Sequence, residues 1–121
     1  MAERPLVSVV DDDESVRESL PDLLHELGYE AGAFSSAEEY LASGDLGRTK
    51  CLIVDVAMPG MSGPDLQQEL KVRQLDIPII FITAHGPEAA VRVVSQGAVA
   101  CLFKPFTDLA LLSALDLALL K

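Results

Sequence analysis

Four short apolar runs along this chain each stop on a polar residue. Leu6–Val10 runs into Asp11-Asp12-Asp13, Cys51–Val54 into Asp55, Ile79–Ile82 into Thr83, and Cys101–Phe103 into Lys104-Pro105. Between them lie longer stretches in which apolar residues recur at helical spacing. The clearest is Val16, Leu20, Leu23, Leu24 and Leu27, one buried stripe of a helix from about Glu14 to Leu27 that Gly28 terminates. A weaker strand is expected at about Glu30–Phe34, followed by a helix that Ser35 or Ser36 caps, with Glu38 and Glu39 in its first turn. Pro64 and Pro87 each open a further helix, where a missing N–H costs nothing. Pro78 opens the fourth strand, the fifth spans about Ala100–Phe103, and a last helix runs from about Asp108 to the end.

Five β-α repeats predict an α/β fold, a doubly wound parallel sheet with helices on both faces and right-handed crossovers. The common strand order for five strands is 2-1-3-4-5, the flavodoxin-like (βα)5 sandwich, with its ligand crevice at the carboxyl ends of strands 1 and 3. Cys51–Val54 lacks alternation, so it should be covered on both faces. In this order strands 3 and 5 are separated by strand 4, so Cys51 and Cys101 should remain unbridged. A length of 121 residues fits one domain.

Composition narrows the function classes. Half of the residues are apolar but only 5% are aromatic, so the core must be built from Leu, Ile, Val and Ala. The net charge of −10 argues against non-specific binding to nucleic acid or to an anionic membrane. The same charge suits a protein that neutralises acids with a metal, and it also suits simple solubility. Two cysteines are too few for a disulfide scaffold and read as free thiols in a reducing compartment. The N-terminus carries no signal-peptide pattern, and no run approaches the roughly 20 apolar residues that span a bilayer. The expected location is cytoplasmic.

The strand ends carry the chemistry. Carboxylates ~5 Å apart repel by roughly 3 kcal/mol per pair at an effective dielectric of ~20. Asp11, Asp12 and Asp55 therefore call for a counter-charge, and Lys104 alone is too little. All-oxygen ligation without His or Cys favours Mg²⁺, or Mn²⁺, over zinc. Asp13 reads instead as the cap of the first helix.

Val9-Val10-Asp11-Asp12, Asp55 with Met58-Pro59-Gly60-Met61-Ser62-Gly63, Thr83 and Lys104-Pro105-Phe106 together resemble the receiver domains of two-component response regulators, in the family's order and over essentially the whole chain. The resemblance implies a single receiver domain over residues 1–121 with no output domain in this sequence. It implies that Asp55 is the phosphoacceptor, taking a phosphoryl group from a phosphohistidine on a sensor histidine kinase or a phosphotransfer protein. Asp12 and Asp55 would ligate Mg²⁺ directly, Asp11 would hold it through water, and the Ala57 main-chain carbonyl would add an oxygen. Thr83 would hydrogen-bond the phosphoryl group, Lys104 would pair with it, and the Lys104-Pro105 bond would be cis. Such a domain is a signalling switch rather than an enzyme, promoting only its own phosphorylation and dephosphorylation.

Departures from the family pattern are visible. Many receivers carry an aromatic residue where this chain has Cys101, so the usual coupling to Thr83 lacks its ring, and Phe103 on the same face is a candidate partial substitute. Ala57 has no side-chain group to orient a hydrolytic water. His85 faces two readings, a contact to the phosphoryl group or partner and a solvated loop imidazole. Thr83-Ala84-His85-Gly86 resembles a receiver subset joined to helix-turn-helix DNA-binding modules, which implies a transcriptional output.

The last helix has a surplus of leucine: Leu109, Leu111, Leu112, Leu115, Leu117, Leu119 and Leu120 cover more than half of a helical wheel. The fourth predicted helix is similar, with Ala89, Ala90, Val91, Val93 and Val94. A partner or homodimer surface on the helix 4–strand 5–helix 5 side is expected, altered by phosphorylation. The main alternative function is a Mg²⁺-dependent phosphohydrolase with an aspartyl-phosphate intermediate. That class usually carries Asp-x-Asp, and here the second position is Ala57. A flavin or nucleotide module would need a glycine- or hydroxyl-rich loop after strand 1, where this chain has three aspartates. A degenerate receiver acting as a scaffold fits poorly with an intact acid set.

Overall fold

The computed structural model describes residues 4–84 and 97–119. The fourth predicted helix, with Pro87 and His85, lies outside the described residues. The described elements are β1 (Leu6–Val10), α1 (Glu14–Glu26), β2 (Glu30–Phe34), α2 (Ala37–Ala42), β3 (Thr49–Asp55), α3 (Gly63–Val72), β4 (Ile79–Thr83), β5 (Ala100–Phe103) and a C-terminal helix (Asp108–Leu119). The strands form one parallel sheet in the order β2-β1-β3-β4-β5. This is the predicted doubly wound arrangement.

Side-chain alternation sorts the core into two layers. Val7, Val9, Cys51, Ile53, Ile80 and Ile82 face α1 and the C-terminal helix, meeting Leu20, Leu24, Leu111 and Leu115. Val10, Leu52, Val54, Ile79 and Phe81 face α2 and α3, meeting Tyr40, Leu66 and Leu70. The central strands β1, β3 and β4 are buried almost without interruption, as a sheet covered on both faces requires. Edge strand β2 has only exposed and half-buried positions, which accounts for its weak sequence signal. Both cysteines are free, on β3 and β5, with β4 between them. Burial pushes the Cys51 thiol up to about 12.

Each described helix start has a side-chain cap. Asp13 caps α1 by accepting from the Ser15 N–H, and Ser36 caps α2 by accepting from the Glu39 N–H. Ser62 and Asp65 form a reciprocal capping box at α3, with Pro64 in its first turn. Thr107 Oγ1 accepts from the Ala110 N–H at the C-terminal helix. Helix α1 ends one residue earlier than the spacing suggests, with Leu27 as its cap and Gly28 at φ +99°. It also continues through Pro21, whose ring removes a main-chain donor in mid-helix. The apolar contacts of Leu20 and Leu24 on either side of Pro21 hold the helix together there. A buried side-chain hydrogen-bond network joins β1, α2 and β3. Thr49 Oγ1 lies 2.8 Å from Ser8 Oγ, accepts from the Tyr40 hydroxyl at 2.9 Å, and donates to the Asp45 carbonyl at 2.7 Å.

Candidate phosphoryl and metal site

Parallel pairing delivers the polar strand ends to one edge. Val10 pairs with Val54, so the residues that follow, Asp11 and Asp55, sit side by side. Asp55 pairs with Ile82, and Thr83 pairs with Phe103, so Thr83 and Lys104 emerge one step further along the same edge. Main-chain bonds prolong the ladder past the strands. The Asp11 N–H donates to the Phe34 carbonyl at 3.1 Å, Val56 N–H to the Ile82 carbonyl at 2.9 Å, and Lys104 N–H to the Thr83 carbonyl at 2.8 Å. The backbone at each polar residue is thereby set by the sheet.

Carboxylate oxygens of Asp11, Asp12 and Asp55 all lie within 4.8 Å of one another. Asp11 is fully buried, Asp55 is 8% exposed, and Asp12 faces solvent. Lys104 Nζ donates to Asp11 Oδ2 at 2.9 Å and lies 3.5 Å from Asp55 Oδ2. The other Asp11 oxygen, Oδ1, accepts from the Asp13 N–H at 2.9 Å, and Asp55 Oδ1 accepts a longer bond of 3.4 Å from the Ala57 N–H. Thr83 is fully buried at the end of β4. The Lys104-Pro105 peptide bond is cis, as the resemblance implies.

The electrostatics follow from this crowding. Burial, and next the charge of Asp11, push the Asp55 carboxyl above the usual carboxylate range, with Lys104 and the Ala57 N–H opposing. For Lys104, burial acts to lower the ammonium. The hydrogen bond and charge of Asp11, with Asp55 behind it, overcome that and hold it above its ordinary value. Three carboxylates facing one ammonium leave an excess of negative charge over a cluster of hard oxygen donors. That donor set fits Mg²⁺ or Mn²⁺.

Pairings invisible to periodicity complete the site. Arg17 Nη1 donates to the Asp11 main-chain carbonyl at 3.0 Å. Arg17 stands one helical turn beyond the cap Asp13, and helical side chains lean toward the N-terminus, so this contact was readable in principle. Gly63 fits where a Cβ would lie 2.5 Å from the Asp55 carbonyl oxygen and 2.7 Å from the Phe81 ring. Cys101 is half-buried against the α2–α3 layer, while Phe103 is 44% exposed. Phe103 therefore does not pack inward, and the expected substitution for the missing aromatic is not made in this structure. His85 lies outside the described residues. A cavity of about 800 Å³ opens at the opposite sheet edge beside Arg4, Leu6, Arg48 and Ala118, away from the acids.

A doubly wound sheet with an acidic cluster and a lysine at its switch point defines a class of α/β domains suited to a divalent cation and a phosphoryl group, and comparison with known proteins makes the class specific. The profile of the response regulator receiver domain matches residues 7–116. The chain belongs to the receiver domain family of two-component response regulators. It is 48% identical over 112 residues to nodulation protein W of Bradyrhizobium diazoefficiens, covering 92% of this chain and 49% of that protein. It is 42% identical over 115 residues to response regulator protein TodT of Pseudomonas putida, covering 94% and 51% respectively. Among solved structures it matches response regulator StyR with a TM-score of 0.88 at 45% identity, covering 97% of this chain and 60% of that one. FixJ-N matches with a TM-score of 0.85 at 36% identity, covering 98% and 94%. The chain spans about half the length of the relatives TodT and nodulation protein W.

Proposed function

We propose that this chain is a phosphorylation switch in which Asp55 accepts a phosphoryl group from a phosphohistidine on a sensor kinase or phosphotransfer protein. The P–N bond to the donor imidazole breaks and a P–O bond to the Asp55 carboxylate forms, leaving a neutral donor imidazole once it takes up a proton. The observation that carries this reading is the convergence of Asp11, Asp12 and Asp55 with Lys104 at one sheet edge.

Asp12, Asp55 and the Ala57 carbonyl would hold Mg²⁺ directly, and Asp11 would hold it through water. The hydrogen bonds of Asp11 support that division, since both of its carboxylate oxygens are already engaged by Lys104 and the Asp13 N–H. The bound metal would supply charge neutralisation for the transferring group. The residues do the rest. The sheet fixes the Asp55 carboxylate for in-line attack, and its proximity to Lys104 places an ammonium beside the incoming phosphoryl oxygens. Thr83, at the end of the neighbouring strand, offers a hydroxyl to the same group. The new charge redistributes the ion pairs that Lys104 makes and alters the surface around β5 and the C-terminal helix. The relatives include transcriptional regulatory protein FixJ of Rhizobium meliloti, which supports a transcriptional output for the protein to which this domain belongs.

A small acyl phosphate supplied with Mg²⁺ should label the protein to at most one equivalent, and Asp55→Asn should take up none. Sustained turnover of a phosphate ester would instead support the phosphohydrolase reading, for which Ala57 supplies no general acid.

A further inference from the structure

The loop from Val56 to Ser62 joins the phosphoacceptor strand to α3 and carries Ala57. Its two ends are tied to each other, since the Gly63 N–H donates to the Val56 carbonyl at 3.0 Å. Its apex is tied elsewhere. Glu38, in the first turn of α2, accepts a hydrogen bond from the Met61 N–H at Oε2, 3.1 Å away. The same oxygen would lie 2.8 Å from a Cβ built on Gly60, and Gly60 has φ +73°. Both features of Gly60 suit glycine, because a side chain would be strained by the backbone and would collide with the carboxylate. The helix that presents Glu38 is itself anchored, with Ser36 capping it and Glu39 Oε1 accepting from the Ser35 N–H.

We propose that Glu38 is a positioning residue that latches the Gly60–Met61 apex to α2 and so holds Ala57 and the loop in register with the Asp55 carboxylate for metal binding. The inference rests on the reading of the acid cluster as a metal and phosphoryl site. Glu38 is solvent-exposed and makes no contact with the acids, so its influence passes through the loop. The latch spans α2 and the β3–α3 loop, which sequence order separates by 23 residues.

The test is a calorimetric Mg²⁺ titration of the unphosphorylated chain and three variants, with metal-free melting temperatures alongside. Glu38→Ala should weaken Mg²⁺ binding about 3- to 10-fold, the range expected for the net loss of one ordinary, solvent-exposed hydrogen bond, while the metal-free melting temperature barely moves. Glu38→Gln should stay within about 2-fold of wild type, because its amide oxygen can accept the same N–H. Gly60→Ala should reproduce the Glu38→Ala loss, and the double variant should add little to it. Unchanged affinity in Glu38→Ala would overturn the latch. So would an equal loss in Glu38→Gln, which would assign the effect to charge, or losses at positions 38 and 60 that simply sum. Failure of the underlying site reading looks different, since wild type itself would then bind no Mg²⁺ or Asp55→Asn would still be labelled.

Discussion

Asp55 occupies a position in which ionisation is costly without a cation. Burial and the neighbouring Asp11 raise its carboxyl above the ordinary range, so the fold prefers the protonated form. By linkage, that preference stabilises the fold below the unfolded carboxyl value and is lost as pH rises through the higher folded value. At neutral pH the ionised group therefore works against the fold. Asp55→Asn should raise the metal-free melting temperature at pH 7 by about 3–5 °C, a gain that should shrink as pH falls through the folded value of Asp55. Thermal scans from pH 4 to 8 read this directly, and a gain independent of pH would contradict the assignment. Lys104 titrates far outside this window, since its ammonium is held above its ordinary value.

At the scale of elements, the site depends on where strands stop and how closely the next helix approaches. Gly63 lets α3 begin directly under β3, with space for no Cβ between the Asp55 carbonyl and the Phe81 ring. Gly63→Ala should destabilise the protein by about 1–3 kcal/mol in urea unfolding, the range for overpacking a rigid site, and a near-neutral result would contradict the close approach. The strand ends were legible because a polar residue closing an apolar run of buried-sheet type has few structural uses, and parallel topology then dictates that Asp11, Asp55, Thr83 and Lys104 meet. The caps Asp13 and Ser36 were legible from local chemistry, whereas the Ser62–Asp65 capping box at the start of α3 was not read, although Pro64 marked that helix start. Other features were not legible, for physical reasons. Glu38 and Met61, like Thr49 with Ser8 and Tyr40, meet across elements, and no local period records such pairs. The exposure of Phe103 depends on how β5 sits at the sheet edge, which residue type alone does not reveal.

For the whole molecule, the leucine surplus of the C-terminal helix divides by depth. Leu111 and Leu115 are buried, while Leu109 and Leu117 are 72% and 62% exposed. The two exposed leucines lie eight positions apart, about 80° from each other around the helix axis, so both fall on one broad outward face. A partner surface or a second copy of the chain at this face fits the proposed output side of the switch. Replacing both leucines with serine should leave stability within about 0.5 kcal/mol and weaken any phosphorylation-dependent self-association seen by sedimentation. Unaltered association in that variant would place the interface elsewhere.

Where a phosphoryl group attaches is the most direct test of the site. The protein would be labelled with a small acyl phosphate and Mg²⁺, the acyl phosphate trapped by reduction, and the modified peptide sequenced by mass spectrometry. The expected result is a single modified position, Asp55, with no labelling when divalent metal is chelated. Modification at another residue, or labelling that persists without metal, would contradict the site described above.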